Sequence, residues 1–143
     1  MMQFRLVTMH GTKVSEEVYS VTLPTVTGEI SVFPGHEPLV TIATDGVIAV
    51  RFQKEDDDSK LEYYAISGGV IEINQRGIKV LVDEADHSDD IIEAESKAAL
   101  ERALKMQAEA TNQVELEKAH QLVDRHAVRL KVADLKRRRR RQQ

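Results

Sequence analysis

Short apolar runs, some of them alternating with polar residues, fill the first half of the chain and predict β-strands. The predicted strands cover residues 4–7, 18–23, 46–52, 61–66, 70–73 and 78–82. The alternation is clearest in the fifth run, where Val70 and Glu72 fall on one face and Ile71 and Ile73 on the other. Glycine and proline lie between the runs, where turns require a positive or fixed φ. Short strands with frequent turns and no intervening helix indicate an antiparallel β-sandwich or barrel.

The second half has a helical pattern, because Ala, Glu, Lys, Leu, Gln and Arg dominate from Asp90 onward. Small and apolar side chains recur there at steps of three and four in two series: Ile92, Ser96, Ala99, Ala103, Met106 and Ala110, then Leu116, Ala119, Val123, Ala127 and Leu130. Asp90 with Glu93, and Asn112 with Glu115, have the spacing of a helix cap and its third residue. These signals predict two antiparallel helices joined near residues 111–112. The alternative is one continuous helix of about 50 residues, ~75 Å long.

Composition and charge change at the same point as the pattern. Every glycine, proline and aromatic residue lies at or before Gly77. Residues 1–90 carry seven Lys/Arg and sixteen Asp/Glu, net -9, whereas residues 91–143 carry thirteen and eight, net +5. This step predicts a boundary near Ser88, with a β-sandwich over residues 1–87 and a helical hairpin over residues 88–143. The expected fold class by composition is therefore α+β.

The faces of the two predicted helices are rich in Ala and Ser, so they allow close approach but bury little apolar area. Such a pair cannot enclose a core and must lie against the sandwich or against another chain. Two docking positions of similar free energy would make the pair a switch, because a partner easily reverses a small free-energy gap.

Patterns of catalytic, metal and cofactor sites are lacking. The absence of Cys excludes a thiolate metal site and a cysteine nucleophile. Neither phosphate-binding glycine motif occurs, and residues 67–69 lack the glycine that a nucleophile elbow needs. Residues 83–86 are interpreted as an acidic strand exit before a helix, and residues 56–58 as a solvated hairpin tip rather than a calcium loop. The chain is therefore expected not to be an enzyme, with no catalytic residue, metal ligand or cofactor, and no apolar run suggests a membrane-spanning segment.

Two features carry candidate contacts. His36 lies in the turn of residues 34–38, and turns often hold recognition residues, although a histidine merely tolerated in a turn explains it equally well on local grounds. The run Arg137–Arg141 ends the helical half. It is interpreted as a solvated helix end, as a docking arm for an acidic protein surface, or as a binder of phosphate backbones.

Residues 28–41 (GEISVFPGHEPLVT), followed by residues 46–48, resemble the signature region of the epsilon subunits of bacterial-type and plastid-like ATP synthases. Residues 66–73 and 80–85 continue the resemblance, and residues 98–103 and 129–133 extend it through the helical half. It covers essentially the whole chain in order. The resemblance implies an N-terminal β-sandwich, a C-terminal helical hairpin, and a non-catalytic subunit of the central stalk that couples proton flow to ATP synthesis.

The resemblance also implies partners and site residues. The sandwich would bind the gamma subunit and the c-subunit ring, with Glu29 and His36 facing the polar loops of that ring. The helical half would be a regulatory arm that reaches the alpha/beta catalytic head and blocks ATP hydrolysis through basic side chains against an acidic beta-subunit segment. Those basic side chains would be Arg125, Arg129, Arg137, Arg138, Arg139, Arg140 and Arg141. The subunit would be peripheral, on the cytoplasmic face of the plasma membrane, without direct membrane insertion and without nucleic acid.

One departure concerns ATP. Some members of the family hold the folded arm through a bound ATP and an Ile/Leu-Asp-x-x-Arg-Ala motif, but residues 91–96 here lack both the Asp and the Arg. Glu95 would repel a phosphate, so no residue is expected to bind ATP.

The alternative function is a free-standing adaptor whose sandwich binds a peptide and whose basic tail binds nucleic acid. The net acidity of the chain and the lack of aromatic residues in the second half weigh against the nucleic-acid part.

Overall fold

The protein is seen in a computed structural model that describes residues 1–142, with side chains as far as Arg139. The strands of the described part are β1 (Met2–Thr8), β2 (Gly11–Val18), β3 (Ser20–Thr25), β4 (Gly28–Val32), β5 (Leu39–Ala43), β6 (Gly46–Arg51), β7 (Glu62–Ile66), β8 (Gly69–Ile73), β9 (Gly77–Val82) and β10 (Ala85–His87). The helices are α1 (Glu93–Glu109) and α2 (Gln113–Gln142), and short 3-10 turns lie at Asp58–Lys60 and Ser88–Asp90. In the described residues, no helix combines the length and apolar character needed to cross a membrane.

The strands form a sheet in the order β10-β7-β6-β3-β5-β8-β9-β1-β2, with β4 on the other side of β3. β3 and β5 share one register pair, Thr25 with Ala43, and the sheet turns over there into two layers. β1 pairs in parallel with β9, whereas the neighbouring pairs β1–β2 and β8–β9 are antiparallel. The predicted β-sandwich is confirmed, and it is a nearly closed one.

The hydrophobic core lies between the two layers. Its largest fully buried side chains are Phe4, Leu6, Leu23, Ile48 and Ile71. Each side chain of this kind contributes about 1.5–3 kcal/mol through burial. The core cluster extends from Met2 to Ala85 and includes no side chain of α1 or α2 among those described. The sandwich therefore does not depend on the helices for its core.

Four strands are absent from the sequence prediction: β2, β4, β5 and β10. β2 is mostly polar, and only Val14 and Val18 on it are buried, so its pairing with β1 rather than its own pattern makes it a strand. The predicted run 18–23 is wrong as a single strand, because β2 ends at Val18 and β3 begins at Ser20. The interpretation of residues 83–86 as an exit before a helix is also wrong in part, since β10 pairs antiparallel with β7 before any helix begins.

The helical hairpin is confirmed, and the predicted cap at its turn forms. The backbone N–H of Glu115 donates to Oδ1 of Asn112 at 2.9 Å. The carboxylate of Glu115 in return accepts the backbone N–H of Thr111 at 3.0 Å. Hydrogen bonds from the backbone and then from the side chain of Thr111 lower the pKa of the Glu115 carboxyl. Gln107 Nε2 and His120 Nδ1 lie 3.3 Å apart across the turn, so the two helices run antiparallel.

The predicted cap at Asp90 is wrong. α1 begins at Glu93 after Ile92, which makes no side-chain cap bond, while Asp90 belongs to the preceding 3-10 turn. On the predicted helical faces Ser96, Ala103 and Ala119 are buried, whereas Ile92, Met106, Leu116 and Ala127 are exposed. The small residues make the contact between the helices.

Candidate functional site

The basic side of α2 lies along one acidic edge of the sandwich. We define the acidic edge as Glu62 on β7, Glu84 and Asp86 around the start of β10, and Asp89 in the following 3-10 turn. The pairs across this contact are Arg125 Nε with Glu84 Oε2 at 3.2 Å, Arg129 Nη1 with Asp86 Oδ2 at 3.6 Å, Lys136 Nζ with Asp89 Oδ1, and Arg139 Nη1 with Glu62 Oε2 at 3.7 Å. Charge of opposite sign therefore joins the two halves of the chain.

Few fully buried apolar side chains accompany these ion pairs. Among the described side chains, those fully buried are Ala119, Val132 and Ala133 on α2 and Ser96 and Ala103 on α1. Methyl groups bury far less area than Leu or Phe. The half-buried side chains of Leu122, Val128, Leu130 and Leu135 add partly exposed aliphatic area on α2. The expectation of a small-residue contact holds at the fully buried positions.

Several polar atoms in the contact are shielded from water without a hydrogen bond. They are Nε of Arg129 and Arg139, Oγ of Ser88, Nδ1 of His126 beside α1, and Nε of Arg125, which lies 3.2 Å from Glu84 Oε2 but is not aligned for a hydrogen bond. Removing such groups from water costs free energy that an imperfectly aligned ion pair recovers only in part. The ion pairs that hold α2 in the docked position therefore recover only part of the free-energy cost of removing these groups from water.

A cleft of about 360 Å³ lies between α1 and α2. Glu95, Ser96, Arg102, His126 and Arg129 are among its lining residues. Desolvation, followed by the positive charges of Arg129, Arg125 and Arg102, lowers the pKa of His126. Glu95 lines the same cleft as Arg102 and Arg129. The expectation that no residue binds ATP depends on Glu95, and it stays a prediction.

Reversing the charge of both Arg125 and Arg129 to Glu is expected to release α2 from the sandwich. An ion pair at a partly exposed position contributes about 0.2–1 kcal/mol, and reversal also adds repulsion, so the open fraction should rise roughly tenfold. The rate of protease cleavage within α2 under native conditions measures that fraction.

Two variants control this experiment. Adding Glu84→Arg and Asp86→Arg to the double variant restores opposite charges across the contact and should restore slow cleavage. Lys118→Glu alters an exposed residue near the hairpin turn and should leave the rate unchanged. Equal cleavage of the double variant and the wild type would contradict the role of these pairs.

The other arm arginines whose side chains the structure describes are also paired in the docked position. Arg137 contacts Glu93 at 2.9 Å and Asp134 at 2.6 Å, and Arg138 contacts Asp134 at 3.1 Å. Arg139 donates to the carbonyl oxygen of Leu61. The side chains of Arg140 and Arg141 lie outside the described residues. The structure thus brings Arg125, Arg129 and Arg139 to the acidic edge and joins Arg137 to the start of α1.

Glu29 lies in β4, and His36 lies in the turn that follows it. Glu29 is exposed on β4 and pairs in register with Pro24 of β3. His36 is half-buried in the turn between β4 and β5, where its backbone N–H donates to Phe33 O at 3.2 Å. Its Nδ1 lies 2.6 Å from the carbonyl oxygen of Glu37. Local bonds therefore orient the His36 ring, but the two residues make no contact with each other that defines a common site.

A row of apolar side chains crosses the outer surface of the sandwich. Ile42 on β5, Val70 on β8 and Leu81 on β9 are cross-strand neighbours and are 57%, 45% and 42% exposed. Half-buried Val7 on β1 pairs with Leu81 and extends the row, which we call the apolar row. The intervening residues point into the core, so these side chains face outward. An apolar surface built across four strands is typical of a protein contact site.

Sequence reasoning missed both the acidic edge and the apolar row. The signal for the acidic edge is the opposite net charge of the two halves of the chain. The signal for the apolar row is Val70, an apolar residue on the polar face of an alternating strand. Neither signal identifies the partner residue, because that depends on strand register.

The acidic loop before β7 has a local structural role. Asp57 caps the 3-10 turn by accepting the backbone N–H of Ser59 at 3.0 Å, and hydrogen bonds from the Ser59 side chain and then its backbone lower the pKa of Asp57. Arg51 contacts Asp58 at 2.6 Å. Among the described residues, no three His, Asp or Glu side chains converge in a way that would hold a metal ion.

Comparison with known proteins gives consistent matches. Residues 1–88 match the family model of the ATP synthase delta/epsilon chain, beta-sandwich domain. An ATP synthase epsilon chain of Herpetosiphon aurantiacus is 33% identical over 137 residues, covering 96% of this chain and 97% of the relative. An ATP synthase epsilon chain of Brucella anthropi is 33% identical over 125 residues, covering 85% and 90%.

Solved structures share the fold. A chain of the Euglena gracilis mitochondrial ATP synthase, solved with its OSCP, F1 and c-ring parts, superposes with a TM-score of 0.77 at 23% identity, covering 92% of this chain and 80% of that one. A chain of the Tetrahymena thermophila central stalk and c-ring superposes with a TM-score of 0.59 at 11% identity, covering 92% and 96%. At these identities the likeness is one of fold.

Proposed function

The chain belongs to the family of ATP synthase delta/epsilon chains, as an epsilon chain of the central stalk, and on that basis we propose how its two halves divide the work. The sandwich, residues 1–87, is a docking module for the rotor. The helical hairpin, residues 88–143, is a regulatory arm. The subunit itself is non-catalytic, and the chemistry of ATP belongs to its partners.

The apolar row is the observation that carries the docking role. Its three most exposed side chains lie side by side on β5, β8 and β9, so a partner can cover them together with one apolar surface. Burial of such a patch contributes about 25 cal/mol for each Å² of apolar surface removed from water. The sandwich fold holds the row in place before binding, which lowers the entropic cost of association. We assign this surface to the gamma subunit.

Glu29 and His36 are assigned to the c-ring. Both lie in the β4 region, outside the apolar row, and both present polar groups. Polar loops of a ring are suited to such groups, because charge complementarity sets orientation and register more than affinity. Two contacts of different chemistry would then fix the sandwich between the gamma subunit and the ring.

The arm uses its arginines in two positions. In the docked position Arg125, Arg129 and Arg139 contact the acidic edge of the sandwich. In the released position the same guanidinium groups, with Arg137, Arg138, Arg140 and Arg141, would contact an acidic segment of the beta subunit in the catalytic head. Exchange of one set of carboxylates for another keeps the free-energy difference small, which is what a reversible inhibitor requires.

The proposed location follows from the partners. A subunit held between the gamma subunit and the c-ring is peripheral to the membrane and lies on the side of the catalytic head, which is the cytoplasmic face of the plasma membrane in bacteria. The described helices make no membrane span, in keeping with attachment through other subunits.

A chain that ends after Asp90 tests the division of roles. Because the core cluster extends only from Met2 to Ala85 among the described residues, this chain should fold and should capture the gamma subunit as well as the full chain does. A cut after Ala85 would remove part of β10 and is less suitable. In reconstituted ATP synthase, ATP hydrolysis should rise at least about twofold if the arm is released for half of the time.

The outcomes separate the two parts of the proposal. Unchanged hydrolysis with normal capture would remove the regulatory role and leave the docking role. Loss of capture by a folded truncated chain would remove the docking role of the sandwich. The adaptor alternative predicts instead that the full chain binds DNA at roughly 150 mM salt, where contacts to phosphates are already weakened.

A further inference from the structure

His87 lies where the sandwich, the 3-10 turn and α2 meet. It ends β10, and both nitrogens of its ring have partners. Nε2 lies 2.6 Å from Oε2 of Glu62, and Nδ1 accepts the backbone N–H of Asp89 at 3.0 Å. The ring packs edge-to-face on Tyr64 with centroids 5.0 Å apart. The imidazole is therefore held in one orientation by β7 and by the turn that leads to α1.

These contacts require a neutral ring with its proton on Nε2. Nδ1 must keep a lone pair to accept the Asp89 N–H, so Nε2 donates to Glu62. A protonated ring would carry a second N–H that faces the N–H of Asp89, and that bond would be lost. Protonation of Nδ1 would therefore break this bond in the turn and direct the new N–H towards the Asp89 carboxylate, whose Oδ2 lies 3.5 Å away.

Both partners of His87 also hold α2. Glu62 Oε2 lies 3.7 Å from Nη1 of Arg139, and Oδ1 of Asp89 pairs with Nζ of Lys136. The second oxygen of Asp89 already lies 3.5 Å from Nδ1 of His87. An imidazolium would attract this carboxylate away from Lys136 and would repel both cations of α2. The charged and titratable groups facing the ring are Glu62 and Tyr64 from β7, Asp89 from the turn, and Lys136 and Arg139 from α2.

Asp89 and Tyr64 do not change charge in the range where histidine titrates. A hydrogen bond from Lys136 is the main cause that holds the pKa of Asp89 below its usual range, so this carboxyl stays ionised. Burial raises the pKa of Tyr64 to about 12, so the phenol stays neutral. The pKa of His126, at the contact between the helices, is lowered chiefly by desolvation, so that ring stays neutral to lower pH than an ordinary histidine.

We propose that protonation of His87 releases the C-terminal part of α2 from the sandwich, so that the position of the arm responds to pH. The inference rests on the proposed mobility of the arm and adds its trigger. An uncharged ring leaves Glu62 and Asp89 to the cations of α2. On acidification the imidazolium competes with those cations for both carboxylates, and the arm is freed to reach another acidic surface.

The distance between arm and sandwich in the isolated full chain tests this. Spin labels are attached through Thr12→Cys on β2 and Lys131→Cys on α2, both at exposed positions. Because the chain has no other Cys, the labels react at these two sites alone. The ratio of released to docked molecules is measured between about pH 8 and pH 5.5, which spans the titration of an ordinary histidine. We expect this ratio to rise about fivefold on acidification, the effect of losing one or two partly exposed ion pairs.

Two substitutions at His87 remove the charge change and keep part of the geometry. His87→Gln retains a donor towards Glu62, and His87→Asn retains an acceptor for the N–H of Asp89. Both variants should show a released fraction that no longer varies with pH. His120→Gln, on an exposed part of α2, and His126→Gln, in the contact between the helices, are the matched controls and should keep the response.

Each outcome decides the inference. A wild-type ratio that is constant with pH, or an unchanged response in both His87 variants, overturns it, as does loss of the response only in His126→Gln. The result is independent of the regulatory proposal. If acid releases the arm through His87 but truncation of the arm leaves ATP hydrolysis unchanged, regulation alone is refuted. If truncation raises ATP hydrolysis but the arm does not respond to pH through His87, the role of His87 alone is refuted.

Discussion

Replacing Gly77 by alanine is expected to destabilise the sandwich by on the order of 4 kcal/mol, a large part of the stability of a domain of this size. Gly77 begins β9 with a φ of +155° and pairs with Gln3 of β1. A Cβ there would lie 1.9 Å from the carbonyl oxygen and 2.7 Å from the nitrogen of Gln3, both backbone atoms. The chain can relieve this overlap only by separating β1 from β9. Urea unfolding of the isolated protein measures the loss.

Gly11→Ala is the matched control for this substitution. Gly11 also has a positive φ, +120°, but a Cβ there would meet nothing within 4 Å. Its substitution reports the backbone strain alone, about 1–3 kcal/mol. Equal destabilisation by the two substitutions would show that contact with β1 contributes nothing, which would contradict the parallel pairing of β1 and β9 as described.

Replacing Val70 by glutamate is expected to weaken the proposed binding to the gamma subunit strongly without unfolding the chain. Val70 is the middle residue of the apolar row, between Ile42 and Leu81. In the isolated protein its side chain is half in water, so the charge should change stability by no more than about 0.5 kcal/mol. In a complex the carboxylate would be buried without a partner, and a central contact residue changed in this way weakens affinity roughly 30- to 1,000-fold.

Titration of purified gamma subunit, followed by calorimetry or by capture, measures this affinity. Val114→Glu provides the same change of chemistry at an exposed valine beside the hairpin turn, outside the apolar row. It should bind the gamma subunit as the wild type does. If Val70→Glu bound normally while remaining folded, the apolar row would not be the docking surface and another face of the sandwich would have to be considered.

The relation between the arm and the sandwich shows why local and long-range information differ here. The charge difference between the two halves predicts that they attract each other. It does not predict that Arg139 meets Glu62, because these residues are far apart in the chain and meet only when β7, β10 and α2 are assembled. His87 carried no sequence signal for the same reason: its ring acquires its two partners from β7 and from the following turn.

The sequence by itself determined the order of the two halves, most of the core strands, and the hairpin with its cap at Asn112. These features depend on interactions within a few residues, such as side-chain alternation, turn residues and hydrogen bonds to the first amides of a helix. Only the tertiary structure decided that polar β2 is a strand, that Ile42, Val70 and Leu81 form one row, and that the arginines of α2 lie on particular carboxylates. Each of these depends on register between segments distant in the chain, where the pairing that buries the core selects the neighbours of every surface residue.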